Sequence, residues 1–176
     1  MRLLRDGVAA GHAAVWCDLG AGTGAFTRAL ADLLAPGSVI HAIDRDANAL
    51  AENERAYRRF ARDGDAPALD VRVADFTRDL GLRDQDGIVM ANSLHFVKDK
   101  APVLARVRAS LKSAGVLLLV EYDADEGNRW VPYPVSFETW RSLAAANGFT
   151  DPRLLATEPS RFLRRIYSAA SSPTAR

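Results

Sequence analysis

The most constraining stretch of this chain is the short apolar run Ala14-Val15-Trp16-Cys17, which ends at Asp18 and passes through Leu19 into Gly20-Ala21-Gly22-Thr23-Gly24. A helical pattern begins directly afterwards. Closely spaced glycines remove Cβ atoms, so a ligand can approach the backbone where a strand turns into a helix. A strand, a glycine loop and a helix in that order imply a layered α/β domain built around a ligand.

The rest of the chain repeats the alternation of short apolar runs and amphipathic stretches. Phe26 to Leu34 reads as a helix stopped by Pro36-Gly37, and Val39 to Ile43 as a second strand closed by Asp44. Asp46 caps a helix whose apolar face holds Ala47, Leu50, Tyr57 and Ala61. Arg55, Arg59 and Arg62 share another face, which with Arg58 reads as solvated, and the segment from Gly64 to Pro67 breaks the helix. Leu69 to Ala74 and Gly87 to Ala91 are further strands, ending at Asp75 and Asn92. A helix from about Asp99 carries Leu104, Val107 and Leu111 on its buried side, with Gly115 just past its end. The unbroken run Val116 to Val120 suits a strand covered on both faces. Ser136 caps a helix through Asn147, and strands at Arg153 to Thr157 and Phe162 to Ala169 form a hairpin. Residues 170–176 read as a frayed tail.

Charge and composition narrow the class. With 23 Lys plus Arg against 22 Asp plus Glu, the net charge of +1 lacks the excess that duplex binding demands, which excludes DNA and counts against RNA. The 48% of hydrophobic residues is enough for a packed core. At 176 residues the expectation is one domain. Cys17 is the only cysteine, so neither a disulfide framework nor a cysteine zinc cluster can form. No apolar run reaches the roughly 20 residues of a membrane span, and the first residues make a poor signal peptide. The expectation is a soluble cytoplasmic domain.

The glycine pattern alone also satisfies a loose dinucleotide fingerprint, Gly20-x-Gly22-x-x-Ala25. Asp18 argues against that ligand, because a carboxylate there would face a pyrophosphate. A ligand bearing an ammonium and a sulfonium would welcome the same charge. Asp44 stands where a carboxylate accepts both hydroxyls of a ribose. Asp75 could accept an adenine amine, with Phe76 stacked on the ring.

The segments VWCDLGAGTGAF, AIDRD, VADFT and GIVMANSLHFV together resemble the successive cofactor motifs of class I S-adenosylmethionine-dependent methyltransferases. The match runs from about residue 14 to 120. The resemblance implies a three-layer Rossmann-like α/β sandwich, with a seven-stranded, mostly parallel sheet and an antiparallel C-terminal strand. It implies that Gly20, Ala21, Gly22 and Gly24 cradle the methionine end of S-adenosylmethionine, and that Asp18 holds its amino group. Asp44, with Arg45 beside it, would bind the ribose, Asp75 and Phe76 the adenine, and Asn92 would lie beside the methionine portion.

Methyl transfer chiefly requires alignment, and a base is needed only where the acceptor must lose a proton. His95 is the candidate base, His12 is placed over the cofactor cleft, and His41 reads as structural. Tyr122, Trp130 and Tyr133 are candidate acceptor contacts, on a strand end and a proline-stiffened loop suited to a small planar or apolar molecule. Asp123, Asp125 and Glu126 read as solvated acids rather than a metal site, and no metal is expected. Ala91-Asn92-Ser93-Leu94 departs from the Asn/Asp-Pro-Pro-aromatic motif of amino-directed adenine and glutamine methyltransferases. Little chain is left for substrate recognition. Either residues 1–13 and the loop after Tyr122 form a minimal lid, or a second subunit of a homodimer contributes. The expected activity is methyl transfer to a small molecule. A non-catalytic cofactor-binding or partner-binding relative and an NAD-dependent oxidoreductase remain as alternatives.

Overall fold

The computed structural model describes residues 2–9, 11–61 and 65–175. Arg62, the Gly64 break and Arg176 therefore lie outside the described residues. Seven strands form one sheet in the order β3-β2-β1-β4-β5-β7-β6. They are β1 (Val15–Leu19), β2 (Val39–Asp44), β3 (Ala68–Val73), β4 (Gln85–Ala91), β5 (Leu111–Tyr122), β6 (Arg153–Pro159) and β7 (Arg165–Ser171). All neighbouring pairs are parallel except those of β7, which runs antiparallel to both β5 and β6. The seven-stranded, mostly parallel sheet is the one expected.

Helices α1 (Ala25–Ala31) and α2 (Ala47–Phe60) follow β1 and β2, while α3 (Ala101–Ser110) and α4 (Phe137–Ala146) precede β5 and β6. The two faces of the sheet carry separate cores. One gathers Trp16, Leu30, Ile40, Tyr57, Val89 and Leu118, and the other Cys17, Ile88, Leu104, Leu119, Trp140 and Tyr167. Alternate residues of β5 enter opposite cores, which is why Leu117 to Val120 are all fully buried. Among the described residues no helix is long and apolar enough to cross a membrane.

Caps set the helix starts. Asp46 accepts hydrogen bonds from the amides of Asn48 (2.9 Å) and Ala49 (3.1 Å), and Ser136 Oγ accepts from the Thr139 amide (3.1 Å). Two of the acids read as solvated, Asp123 and Asp125, instead serve α4. Asp123 accepts from the Phe137 amide, and Asp125 from the Ser136 amide and the Thr139 hydroxyl.

Several expectations are corrected. Helix α1 ends at Ala31, where the Leu33 amide bonds the Leu30 carbonyl three residues back instead of continuing the α pattern to Ala29. Gly115 does not follow α3 but lies inside β5, where the pairing jumps from Gln85↔Leu111 to Gly87↔Val116. Strand β7 begins at Arg165 rather than Phe162. The described part of residues 1–13 is not a lid. Leu4 is buried in the core with Trp16 and Leu118, and Arg153 donates to the Asp6 carbonyl (2.9 Å). Because α1 and α2 leave the β5 end of that face bare, the N-terminal segment covers it.

The tail is pinned as well. Ala170 and Ser171 belong to β7. The Thr150 amide donates to Ser172, the Thr174 amide to Gly148, and Arg108 to the Thr174 carbonyl.

Candidate active site

In an open parallel sheet, ligands bind outside the carboxyl ends of the strands where the strand order reverses. Here that point lies between β1 and β4. A cavity of about 320 Å³ opens there, lined by Gly20, Gly22, Asp44, Arg45, Asp75, Phe76, Asn92 and Ser93, with Phe96 and Val97 at one side. Its polar wall residues sit at or just beyond the ends of three strands, β2, β3 and β4.

The glycine loop is shaped by close approaches. Gly20 has φ +82°, and a Cβ there would collide with Cβ of Ser93, whose hydroxyl donates to the Leu19 carbonyl (2.7 Å). Gly24 has φ +85° and is packed on the side chain of Asn53. It caps α1 and does not line the cavity. Ala21 also faces away, its methyl packed with Ala42 and Leu50.

Asp18 lies beneath this loop. Its Oδ2 accepts from the Thr27 hydroxyl (2.7 Å), which in turn accepts from Asn53 Nδ2 (3.0 Å). Its Oδ1 is buried and meets no donor among the described residues. Desolvation outweighs the Thr27 bond, and the carboxyl is pushed up to about 7. Asn92 stands at the end of β4 with φ +54°, and its Oδ1 is likewise buried and unpartnered.

Asp44 joins two parts of the cavity wall. Its Oδ2 accepts from the Gly22 amide (2.9 Å) and its Oδ1 from the Asp46 amide (2.9 Å). Asp75 Oδ1 accepts from the Thr77 amide (2.9 Å) and hydroxyl (2.8 Å), and these bonds hold its carboxyl below the usual range. The turn role and the place in the cavity wall therefore coexist.

His95 is 3% exposed and does not line the cavity. Its Nδ1 is 2.9 Å from Oε2 of Glu121, and its backbone amide donates to Oε1 of the same carboxylate (3.0 Å). A carboxylate only accepts, so this contact places a proton on Nδ1 and leaves Nε2 as the other ring nitrogen. Phe96 lies 4.3 Å and Tyr122 5.6 Å from the imidazole, ring centre to ring centre. Phe96 is the member of this cluster that reaches the cavity. Sequence reasoning missed the pairing of Glu121 with His95. An acidic residue closing an otherwise aliphatic, doubly covered strand was the available signal.

Tyr122 is buried beside His95, the Tyr133 backbone amide donates a hydrogen bond to the His95 carbonyl (3.0 Å), and Trp130 is exposed farther out. His12 is not over the cleft. It is exposed near Asp86, whose carboxylate accepts from the Val15 amide at the opposite, amino-terminal end of the strands. His41 contacts Asp70 (2.9 Å) across the β2–β3 pair, away from the cavity.

The wall chemistry fits a nucleoside joined to an amino acid. Carboxylates at Asp44 and Asp75 suit hydroxyl and amine donors and the donorless Asn92 Oδ1 suits an ammonium, while the donorless Asp18 Oδ1 lies beneath the glycine loop rather than in the wall. A family model described as a methyltransferase domain matches residues 17–117, more than half of the chain. The chain belongs to that family. S-adenosylmethionine is the cofactor of its class I members. By sequence, no curated protein matches.

The fold recurs among solved structures. The YcgJ protein from Bacillus subtilis is 13% identical with a TM-score of 0.77, covering 99% of this chain and 97% of that one. The arsenic(III) S-adenosylmethionine methyltransferase from Chlamydomonas reinhardtii is 21% identical with a TM-score of 0.76, over 96% of this methyltransferase-family chain and 66% of its own. The magnesium protoporphyrin IX methyltransferase of Synechocystis PCC 6803, solved with bound S-adenosylmethionine, is 16% identical with a TM-score of 0.69, over 92% and 71%.

Proposed function

We propose that this chain is an S-adenosylmethionine-dependent methyltransferase acting on a small-molecule acceptor. The observation that carries this reading is the ring of acidic groups around one cavity, with a buried, donorless Asp18 Oδ1 behind the glycine loop. A ligand with an ammonium, ribose hydroxyls and an adenine amine complements those groups. A dinucleotide would bring its pyrophosphate against them.

Gly20 and Gly22 offer backbone to the methionine portion, Asp18 and Asn92 face its amino group, Asp44 holds the ribose, and Asp75 and Phe76 hold the adenine. Arg45 also lines the cavity, and its charge adds to the Thr77 hydrogen bonds that hold the Asp75 carboxyl below the usual range. Ala21 and Gly24 shape the loop from behind. When bound, the cofactor supplies an electrophilic methyl already activated by its sulfonium. The protein's work is alignment and exclusion of water. Where the acceptor must lose a proton, His95 Nε2 receives it while Glu121 holds the ring. Tyr122 and Tyr133 position the acceptor beside Phe96.

Calorimetry with S-adenosylmethionine, S-adenosylhomocysteine and NAD tests the proposal. Binding of both methionine derivatives is expected, and NAD binding with neither of them overturns it. Full turnover by His95→Ala on an identified acceptor would exclude the base role. Cofactor binding with no transfer across a metabolite screen would mark a non-catalytic relative.

A further inference from the structure

Four of the seven large apolar side chains exposed among the described residues gather in one place: Phe96, Trp130, Tyr133 and Phe162. Contacts connect them. Phe96 lies against His95, Tyr122 against His95 and Phe162 (6.4 Å), and Asn128 Nδ2 reaches the Phe162 carbonyl (3.5 Å). The patch starts at the cavity wall with Phe96 and runs outward over the loops at 123–135 and 160–164. An exposed apolar patch of contiguous side chains marks a binding surface.

Cations on the same two loops indicate what its occupant carries. The Arg129 guanidinium lies 4.8 Å from the Trp130 ring centre. Arg161 and Arg164 flank Phe162 in the turn between β6 and β7. Among the described residues none of these three forms an ion pair. The nearby acids are largely engaged elsewhere. Asp123 serves Arg165 and the Phe137 amide, Asp125 caps α4, and Glu121 is fully buried behind His95. Asp125 and Glu126 are the carboxylates left to oppose the three arginines, in a chain whose total charge is +1.

Resting on the methyltransferase reading, we infer that the acceptor is a planar apolar molecule bearing an acidic group. Its ring lies along Phe96, Tyr133 and Trp130, and its anion is held by Arg129 and Arg161. Guanidinium forks match a carboxylate in two parallel hydrogen bonds and stack on aromatic faces at the same time.

Trp130 reports binding without any need for turnover. Trp16 and Trp140 are buried at 3% and 0% exposure, whereas Trp130 is 62% exposed. The probe is 2-naphthoate, titrated onto isotopically labelled protein and followed by the three indole N–H resonances. S-adenosylhomocysteine binding is measured first and kept saturating. The Trp130 resonance is expected to shift and saturate while the other two stay in place. The neutral 2-naphthamide, and 2-naphthoate on the Arg129→Gln/Arg161→Gln protein, are each expected to bind about tenfold more weakly or worse, the scale of one lost charged contact.

Equal affinity for acid and amide overturns the acidic class. A Trp130 resonance unmoved by both compounds overturns the site. A Trp130 signal that changes with protein concentration alone, together with a dimer in sedimentation, overturns it in favour of a contact between copies. Failure of S-adenosylhomocysteine to bind strikes the methyltransferase reading itself and is seen before any naphthoate is added.

Discussion

Asp18 accepts a 2.7 Å hydrogen bond from the Thr27 hydroxyl through one carboxyl oxygen and offers the other to no donor. A carboxyl so placed titrates near 7 rather than at 3.8, because burial disfavours its charge. The raised value has a definite sign. The protonated group is stabilising at low pH, and that stabilisation is lost as pH rises from about 4 through about 7. Each unit of separation is worth about 1.4 kcal/mol. Ligand-free protein should therefore lose stability between pH 5 and pH 8 relative to Asp18→Asn. Urea denaturation at several pH values checks this, and parallel curves for the two proteins would contradict it. S-adenosylhomocysteine should stabilise the native chain more at pH 8, where Asp18 is charged.

Asp44 and Asp46 are two residues apart and should separate by phenotype. Asp44→Ala removes a charged acceptor from the cavity and should weaken cofactor affinity by about 1–3 kcal/mol. Asp46→Ala removes the α2 cap and should lower stability by about 0.5–2 kcal/mol, with a smaller effect on affinity. Calorimetry and thermal denaturation on both variants provide the comparison. Equal affinity losses would deny Asp44 its proposed ribose contact.

Gly20→Ala combines a left-handed backbone with a collision against Ser93. It should cost about 1–3 kcal/mol of stability and also weaken cofactor binding. Gly22→Ala meets no atom within 4 Å, although φ is +50° there. The added methyl would project into open space, so its fold should suffer less than that of Gly20→Ala. Denaturation midpoints in the opposite order would contradict this account.

Glu121 and His95 form a buried pair, and breaking such a pair leaves one partner without compensation. Glu121→Ala should destabilise by about 3–5 kcal/mol. Glu121→Gln retains an oxygen acceptor for the His95 amide and should cost less. A melting temperature for Glu121→Ala as high as the unaltered chain would show that the pair contributes nothing.

The fold was readable in advance because its signals are local. Alternating apolar runs, Asp46 and Ser136 as caps, and glycines after β1 each act within a few residues. The polar wall of the cavity was readable for a related reason: every strand end in a parallel sheet reaches the same edge, so Asp44, Asp75 and Asn92 converge by topology. The pairing of His95 with Glu121 joins residues 26 positions apart and depends on the alignment of two strand ends. No periodicity encodes that. The described part of residues 1–13, and residues 170–175, were misread because their order comes from distant partners, Leu118 for Leu4 and Gly148 for Thr174.

The position of β7 also orders the events of folding. It is made after β6 yet lies inside it, and β5 and β6 share no ladder of their own. A nascent chain that has emerged only as far as residue 160 holds a five-strand sheet with an open flank and an orphaned β6. Tyr167, which packs beside Glu121 in the finished core, is then still missing. The sheet edge beside His95 and Glu121 is therefore completed last during synthesis, after β1 to β4 have all been made.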